Sequence, residues 1–510
     1  MDFTTPPPSI TASMLYNLTS CEHRLYLDTF GDLSQRGEPN VFIQLLWEKG
    51  TLFEKEVMTA LDLPFLDLSS YRGEEKECRT REAMGQGVPL IYSGLLSVDD
   101  LLGEPDLLRK EITGYVAGDI KSGSGEDGNE DQGKLKKSYA VQLGLYTDIL
   151  ERLKFSPGRW GFIWDIHGKE VRYDFSQPQS SRTPQTWWDL YQSFRQRAQD
   201  ILEQQQATQA AYSSGTCKLC EWYQPCLLHL QRTHDLTLLP ELGRSKRESL
   251  RPHFSTIQEF ASADLSTLTH CKKIDIPGMG LGTLQKLHAR AQLIAAGEQA
   301  RPYLRKVIDL PKYDSEIFFD IEVDPLRDHT YLHGFIERKH QENGTEQFVA
   351  FFADRPTAKA EQEAFAKAIG YLRQHAHSKI YYYSKYERTL YRKLQAKYPD
   401  VCTAEEIETL FDPERAIDLY FDVVLKATEW PTRDYSIKSL AKYLGFIWRD
   451  THPSGAASIE WFHRWVESGD LDIKQRILDY NEDDCRATRV LLDGIRRLQF
   501  RPSQEQKVKP

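Results

Sequence analysis

Ile317-Phe318-Phe319-Asp320-Ile321-Glu322-Val323 is an apolar run broken at alternate positions by two carboxylates. A strand has a side-chain period of two, so Asp320 and Glu322 share one face and leave the other apolar. A half-buried strand rarely carries two acids on one face without a partner cation or base. Working outward, Tyr331 to Glu337 reads as a second strand, Asn343-Gly344 as a two-residue hairpin turn and Gln347 to Phe352 as a third strand. A helix over Thr357 to His375, a strand over Lys379 to Tyr383 and a helix over Tyr386 to Lys397 complete the order βββαβα. The chain from Pro311 on is thus expected to be a separate α/β domain.

Far downstream, Tyr480-Asn481-Glu482-Asp483-Asp484 is expected to start a helix running to about Leu498. Tyr480 and Asp484, four apart, share a face of it. Glu482 and Asp483 are expected to serve as first-turn acids or solvated charges. Clustered carboxylates suit hard divalent ions, and two such ions roughly 3.5 to 4 Å apart hydrolyse phosphodiesters.

A second set of acids lies upstream. Gly103-Glu104-Pro105-Asp106 precedes Gly118-Asp119-Ile120-Lys121, so Asp106 and Asp119 can converge, and Asp119 and Lys121 point the same way. A lysine beside a carboxylate pair can orient or deprotonate an attacking water. Lys134-Leu135-Lys136-Lys137 leads into a helix expected over Ser138 to Leu150, on which Gln142 and Tyr146 are neighbours. Glu54 offers one more carboxylate on a helical stretch. The Gly- and acid-rich segment Ser122 to Gln132 is expected to be a mobile loop.

Eight cysteines in a chain with no signal-peptide pattern argue against a disulfide framework and for a cytosolic compartment. Cys217, Cys220 and Cys226 form C-x2-C-x5-C in a loop-like context, and Cys21 lies on a helix expected over Ser13 to Leu27. Four thiolates suit zinc or an iron–sulfur cluster. Cys78, Cys271, Cys402 and Cys485 lack such spacing and read as buried or incidental thiols.

Between the two acidic centres, Pro277-Gly278-Met279-Gly280 precedes a helix expected over Gln285 to Ala296. Its glycines allow either a phosphate-holding turn or a plain interdomain turn.

At 510 residues the chain suggests two to four domains, and 40% hydrophobic with 27% charged residues excludes wholesale disorder. No apolar run approaches the roughly 20 residues that span a bilayer, so no membrane partner is expected. The net charge of −10 divides as −9 over residues 1–234, +3 over 235–310 and −4 over 311–510. The acid surplus sits with the candidate metal ligands, which predicts locally focused, metal-dependent nucleic-acid binding, with Lys134, Lys136, Lys137 and the middle segment supplying phosphate contacts.

Glu54, Gly-x-x-Asp106, Asp119-x-Lys121 and Gln142-x-x-x-Tyr146, in this order, resemble the PD-(D/E)xK nucleases of the RecB type. The resemblance implies that Asp106 and Asp119 ligate Mg²⁺ or Mn²⁺, with Glu54 where many members carry a metal-binding His. It also implies that Lys121 is catalytic and that Gln142 and Tyr146 support the site and the DNA. One cysteine before this core and three after it resemble the [4Fe–4S] staple of the AddB helicase-nucleases and of RecB-like CRISPR-adaptation nucleases, with Cys21, Cys217, Cys220 and Cys226 as ligands. The βββαβα order resembles RNase H-like folds, and Asp320, Glu322 and Asp484 resemble motifs I and III of DEDD exonucleases. Tyr480 then stands for their water-orienting tyrosine and Glu387 for the acid of motif II. Asp418 and Tyr435-Ser436-Ile437-Lys438-Ser439-Leu440 also look like this branch, as structural or DNA-contacting residues. The turn around Gly278 and Gly280 resembles a helix-hairpin-helix module.

The expected organisation is therefore α/β throughout. A restriction-endonuclease-like, RecB-type domain with an iron–sulfur cluster covers residues 1–234, a small helical module 235–310 and an RNase H-like DEDD 3'–5' exonuclease domain 311–510. The expected activity is metal-dependent hydrolysis of DNA, as single strands or ends, in repair, recombination or defence. No G-x-x-x-x-G-K-[ST] motif is present, so any unwinding would come from a helicase partner. The rival is a nucleic-acid-binding scaffold subunit in which one or both centres are inactive.

Overall fold

Apolar strands covered on both faces account for both halves of the protein. The computed structural model describes residues 8–127, 133–203, 208–270, 273–274, 276–451 and 453–501. Cys271, Asp275 and residues 128–132 of the acid-rich segment lie outside the described residues. The chain forms two compact units, Met1–Ala210 with Gly215–Cys226, and Ala211–Ser214 with Leu227–Pro510.

In the first unit, β1 (Leu66–Asp67), β2 (Leu90–Tyr92), β3 (Leu107–Glu111), β4 (Gly114–Ile120), β5 (Trp160–Trp164) and β6 (Glu170–Asp174) form one sheet in the order β6-β5-β4-β3-β2-β1. β4 pairs antiparallel with β3 and parallel with β5. Every residue of β4 is buried, which is why it reads as a continuous apolar run rather than an alternating one. Tyr115 and Ala117 enter a core shared with helix α2 (Lys137–Arg152), and Val116 and Ile120 enter another with Met58 of helix α1 (Val41–Ala60). Asp119 has the parity of Tyr115 and Ala117 and therefore faces the α2 side.

The described part of the acid-rich segment is hydrogen-bonded rather than loose. Gly125 N–H donates to Asp165 (3.1 Å), its carbonyl accepts from the Tyr173 hydroxyl (2.6 Å), and Glu126–Asp127 pairs with Lys134–Leu135. The helix expected over Ser13 to Leu27 is two helices, Ala12–Leu18 and Glu22–Phe30, and Cys21 is the extended residue that precedes the second. Cys226 lies within the helix Tyr223–Arg232, not in a loop.

In the second unit, helix α3 (Leu281–Ala295) comes first. β7 (Ser315–Asp324), β8 (His329–Lys339) and β9 (Gln347–Phe352) follow, then helix α4 (Ala358–Gln374), β10 (Lys379–Tyr382), helix α5 (Lys385–Lys397) and β11 (Ala416–Asp418). The sheet order is β9-β8-β7-β10-β11, with β7, β8 and β9 antiparallel and β7, β10 and β11 parallel. The connection between β8 and β9 is longer than a two-residue turn. His340 and Gln341 adopt positive φ, Asn343–Thr345 forms a short 3₁₀ turn, and Arg338 grips the Asn343 side chain at 3.0 Å. Ile317, Phe319 and Ile321 pack toward α4 and α5, while Phe318 packs against the opposite helices.

Those helices are α6 (Ile437–Tyr443), α7 (Gly455–Ser468) and α8 (Leu471–Ile495). α8 starts at its Asp470 cap, nine residues before the expected start, because Asp470 accepts the Asp472 N–H there. Tyr480 is accordingly mid-helix, and Glu482 and Asp483 are not first-turn acids. Both are held by Arg449, Asp483 at 3.0 Å and Glu482 at 2.9 Å.

Residues of the middle segment are built into this unit by a buried ion network. Arg290 of α3 donates to Glu429 (2.7 Å) and Glu241 (2.6 Å), and Arg290 and Glu429 are both 0% exposed. The Tyr435 hydroxyl also donates to Glu429 (2.8 Å). Removing one member of such a pair strands a buried charge. Arg290→Met should therefore destabilise the protein by about 3–5 kcal/mol in chemical denaturation, and Arg290→Met with Glu429→Gln by clearly less. Equal losses in the two variants would refute this account.

Candidate functional site

Two carboxylate centres are built, one in each unit. In the first, Asp119 is the penultimate residue of β4 and Asp106 immediately precedes β3. The Ile120 N–H donates to Asp106 Oδ2 (2.7 Å) and the Asp106 N–H to Asp119 Oδ1 (3.3 Å), so backbone geometry clamps the pair together. Lys121 Nζ lies 3.1 Å from Asp119 Oδ2. Asp119 is 1% exposed, and apart from that ion pair its Oδ2 has no partner among the described residues. A buried carboxylate oxygen met by the Lys121 ammonium alone, beside a second carboxylate, is a donor set that fits a divalent cation.

Burial drives the Asp106 carboxyl well above its usual range, Asp119 adds to the rise, and Glu54 contributes from α1. Burial opposes the charged form of Lys121, but Asp119 and Asp106 outweigh it and hold the ammonium above its usual range. Glu54 accepts the Tyr92 hydroxyl at 2.8 Å. On α2, Gln142 donates to the Tyr146 hydroxyl (3.3 Å), which donates to the carbonyl of Glu104, two residues before Asp106 (3.3 Å). Gln142 and Tyr146 thus brace the loop that presents Asp106.

In the second centre, Asp320 and Glu322 of β7 and Asp484 of α8 bring ligand oxygens within 4.8 Å of one another. The parity of β7 turns both acids toward α8. Gly334, opposite Asp320 in β8, lets Asn481 approach. A Cβ there would sit 1.6 Å from Asn481 Oδ1, whose amide Nδ2 donates to Asp320 (2.7 Å). Trp448 Nε1 donates to Asp484 (2.7 Å). Lys438 Nζ lies 2.8 Å from the Tyr480 hydroxyl and 3.2 Å from Asp484 Oδ2.

Burial raises Asp320 well above its usual range, and Asp484, Glu322 and Glu387 add to it. Glu322 is pushed up to about 8 by burial and then by Asp484. Glu387, in the first turn of α5, also reaches about 8 through burial, with Asp418 adding. Glu387 is therefore felt by Asp320 but stands outside the compact group of three. Asp418 caps the next turn, accepting the N–H groups of Tyr420 and Phe421.

Lys438, Asn481 and Trp448 escaped the sequence reading as members of the centre. Lys438 and Trp448 carry no spacing signal toward Asp484, and Asn481 is one residue off the face that Tyr480 and Asp484 share.

Among the described residues the four cysteines form no group as compact as the carboxylates. Burial raises the Cys220 thiol, with Cys21 and Cys217 adding to that rise. The segments are laced together by Trp222 Nε1 to Asp28 (2.7 Å) and by the Gly37 N–H to the Glu221 carbonyl (2.9 Å). Of the remaining cysteines, Cys402 and Cys485 are buried and Cys78 is exposed. Gly278 has φ +72°, Gly280 precedes α3, and neither takes part in the carboxylate groups. Lys134, Lys136 and Lys137 surround the start of α2.

Family models match two stretches of the chain. Residues 54–226 match the PD-(D/E)XK nuclease superfamily and residues 317–495 the RNase_H superfamily. The chain carries one domain of each superfamily. Glu54 begins the first match and Cys226 ends it, and the second contains the whole Asp320–Glu322–Asp484 group. A search of curated proteins finds no match. The PD-(D/E)XK and RNase H assignments support a metal-dependent nuclease. Among the described residues no helix is long and apolar enough to cross a membrane.

The raised Glu322 predicts a pH dependence in the RNase H domain. With metal chelated, the folded state keeps a proton on Glu322 up to about pH 8, whereas the unfolded chain releases it near its ordinary 4.5. Stability should therefore fall as pH rises through that window. Glu322→Gln should remove this component from thermal denaturation profiles, and superimposable wild-type and variant profiles would contradict it.

Proposed function

We propose that the protein hydrolyses DNA phosphodiester bonds with Mg²⁺ or Mn²⁺ at both centres, acting on single strands or ends, with 3'–5' exonuclease action in the RNase H domain. The observation that carries this reading is the largely buried group of Asp320, Glu322 and Asp484, with Tyr480 and Lys438 against it. Asp320, Glu322 and Asp484 would hold metal there, with Glu387 flanking, and Asp106, Asp119 and Glu54 would hold it in the PD-(D/E)XK domain. Bound divalent ions supply an activated water and stabilise the leaving oxygen.

The protein's own groups do the positioning. Tyr480 accepts a hydrogen bond from Lys438 and its hydroxyl also bonds Asp484, which sets it beside the carboxylates to orient the attacking water. Lys438 sets a positive charge beside Asp484, where negative charge builds on the phosphate. Lys121 takes the corresponding place in the first centre. Lys134, Lys136 and Lys137, with the turn at Gly278 and Gly280, contact phosphates.

Wild-type protein with Mn²⁺ should shorten end-labelled single-stranded DNA. Asp119→Ala and Asp320→Ala should each remove a distinct part of the cleavage, and Lys438→Met should lower the Asp320-dependent part by roughly a hundredfold or more. Absence of cleavage by wild type would leave the scaffold reading in its place.

We further propose that Cys21, Cys217, Cys220 and Cys226 hold a [4Fe–4S] cluster that braces the PD-(D/E)XK domain. The Trp222 to Asp28 and Gly37 to Glu221 hydrogen bonds, which join the segment carrying Cys21 to the one carrying the other three, support it. Protein purified without oxygen should absorb in the visible thiolate-to-iron band and lose that band in Cys220→Ser. Colourless, zinc-loaded protein would refute the cluster. Work in repair, recombination or defence in the cytoplasm, beside a helicase, completes the proposal.

A further inference from the structure

The first unit holds a cavity of about 570 Å³ lined by Lys134, Lys136, Lys137, Tyr16, Tyr139 and Trp187 among others. That volume lies within the range of about 300–1,000 Å³ of small-ligand sites. Three observations bear on its occupant.

Its charge is unusual for its place. The lysines crowd the N-terminus of α2, which has no side-chain cap and no acid in its first turn. Cations at that end oppose the helix dipole, and an anion relieves both. Asp127, across the two-stranded ribbon from Lys134, is the acid in the lining.

Its wall carries an unused polar group. Tyr139 is 9% exposed, and its hydroxyl makes no hydrogen bond to any described residue. A Cβ on Gly123 would lie 3.9 Å from the Tyr139 hydroxyl, so this wall of the cavity lies beside the chain that leaves Lys121.

Its mouth offers an aromatic face. Tyr16 is 40% exposed and stacks on Tyr139 with ring centroids 6.2 Å apart. Lys136 Nζ sits 5.1 Å from the Tyr139 ring.

We infer that this cavity is a subsite for one unpaired nucleotide of the strand cut in the first centre, with its phosphate on Lys134, Lys137 and the start of α2 and its base against Tyr16. The inference rests on the nuclease reading of that centre. A base within a duplex is stacked and paired and cannot enter, so the subsite makes the first centre select single strands.

The test is fluorescence anisotropy of the full chain in chelator, with labelled oligothymidylate and a duplex of equal length. Tyr16→Ala should weaken single-strand binding about tenfold and leave duplex binding unchanged, and Tyr16→Phe should restore it. Lys134→Ala with Lys137→Ala should reduce the salt slope by about 1 to 1.5, which Tyr16→Ala should not. Wild-type single-strand affinity in Tyr16→Ala, or equal losses on duplex and single strand, would overturn the subsite. Because metal is chelated, the reading of the reaction fails separately. Tyr16-dependent binding without cleavage in Mn²⁺ would support the subsite and refute the hydrolase, and cleavage with Tyr16-independent binding would do the reverse.

Discussion

Three carboxylates held within 4.8 Å in a largely buried place repel one another, and much of the second unit is arranged around that repulsion. At such separations like charges in a low-dielectric interior cannot all persist without a cation. The RNase H domain meets the problem with proton uptake on Glu322, an amide donor from Asn481, an indole donor from Trp448 and the ammonium of Lys438. Each neighbour also fixes a direction. Gly334 exists in the sheet at the position where a side chain would shut Asn481 out, and Tyr480 receives its orientation from the same lysine that neutralises Asp484.

The first unit solves a smaller version of the problem by different means. Its two aspartates are tied through main-chain N–H groups and a single lysine rather than through a ring of side chains. Order there comes from the backbone of adjacent strands, and α2 supports the loop rather than the ligands. The two domains therefore reach similar donor sets from opposite directions, one from helix side chains converging on a strand and one from a strand pair bracing itself.

The sequence carried the strands well because period and burial are local properties. Ile317 to Val323 announced both its faces. The start of α8 was misplaced because the cap at Asp470 was not read as a helix start, and Cys21 was read as helical because two short helices share one apolar pattern across a break. Asp119 with Lys121 and Tyr480 with Asp484 were legible because each pair lies within one element. Lys438 and Trp448 were not, because their meeting with Asp484 depends on how separate helices pack.

The Trp222 to Asp28 contact closes a loop of 194 residues. Ring closure over such a span is entropically costly, and a hydrogen bond that exists only in the folded domain depends on the packing around it to offset that cost. It also orders events in time. Residues 215–226 leave the ribosome after the entire sheet of the first unit has been made, so the seam that fastens its N-terminal helices is the last part of that unit to become available. Until then the N-terminal helices lack the partners that Glu221 and Trp222 provide, and the PD-(D/E)XK domain is complete only after residue 226 has been made.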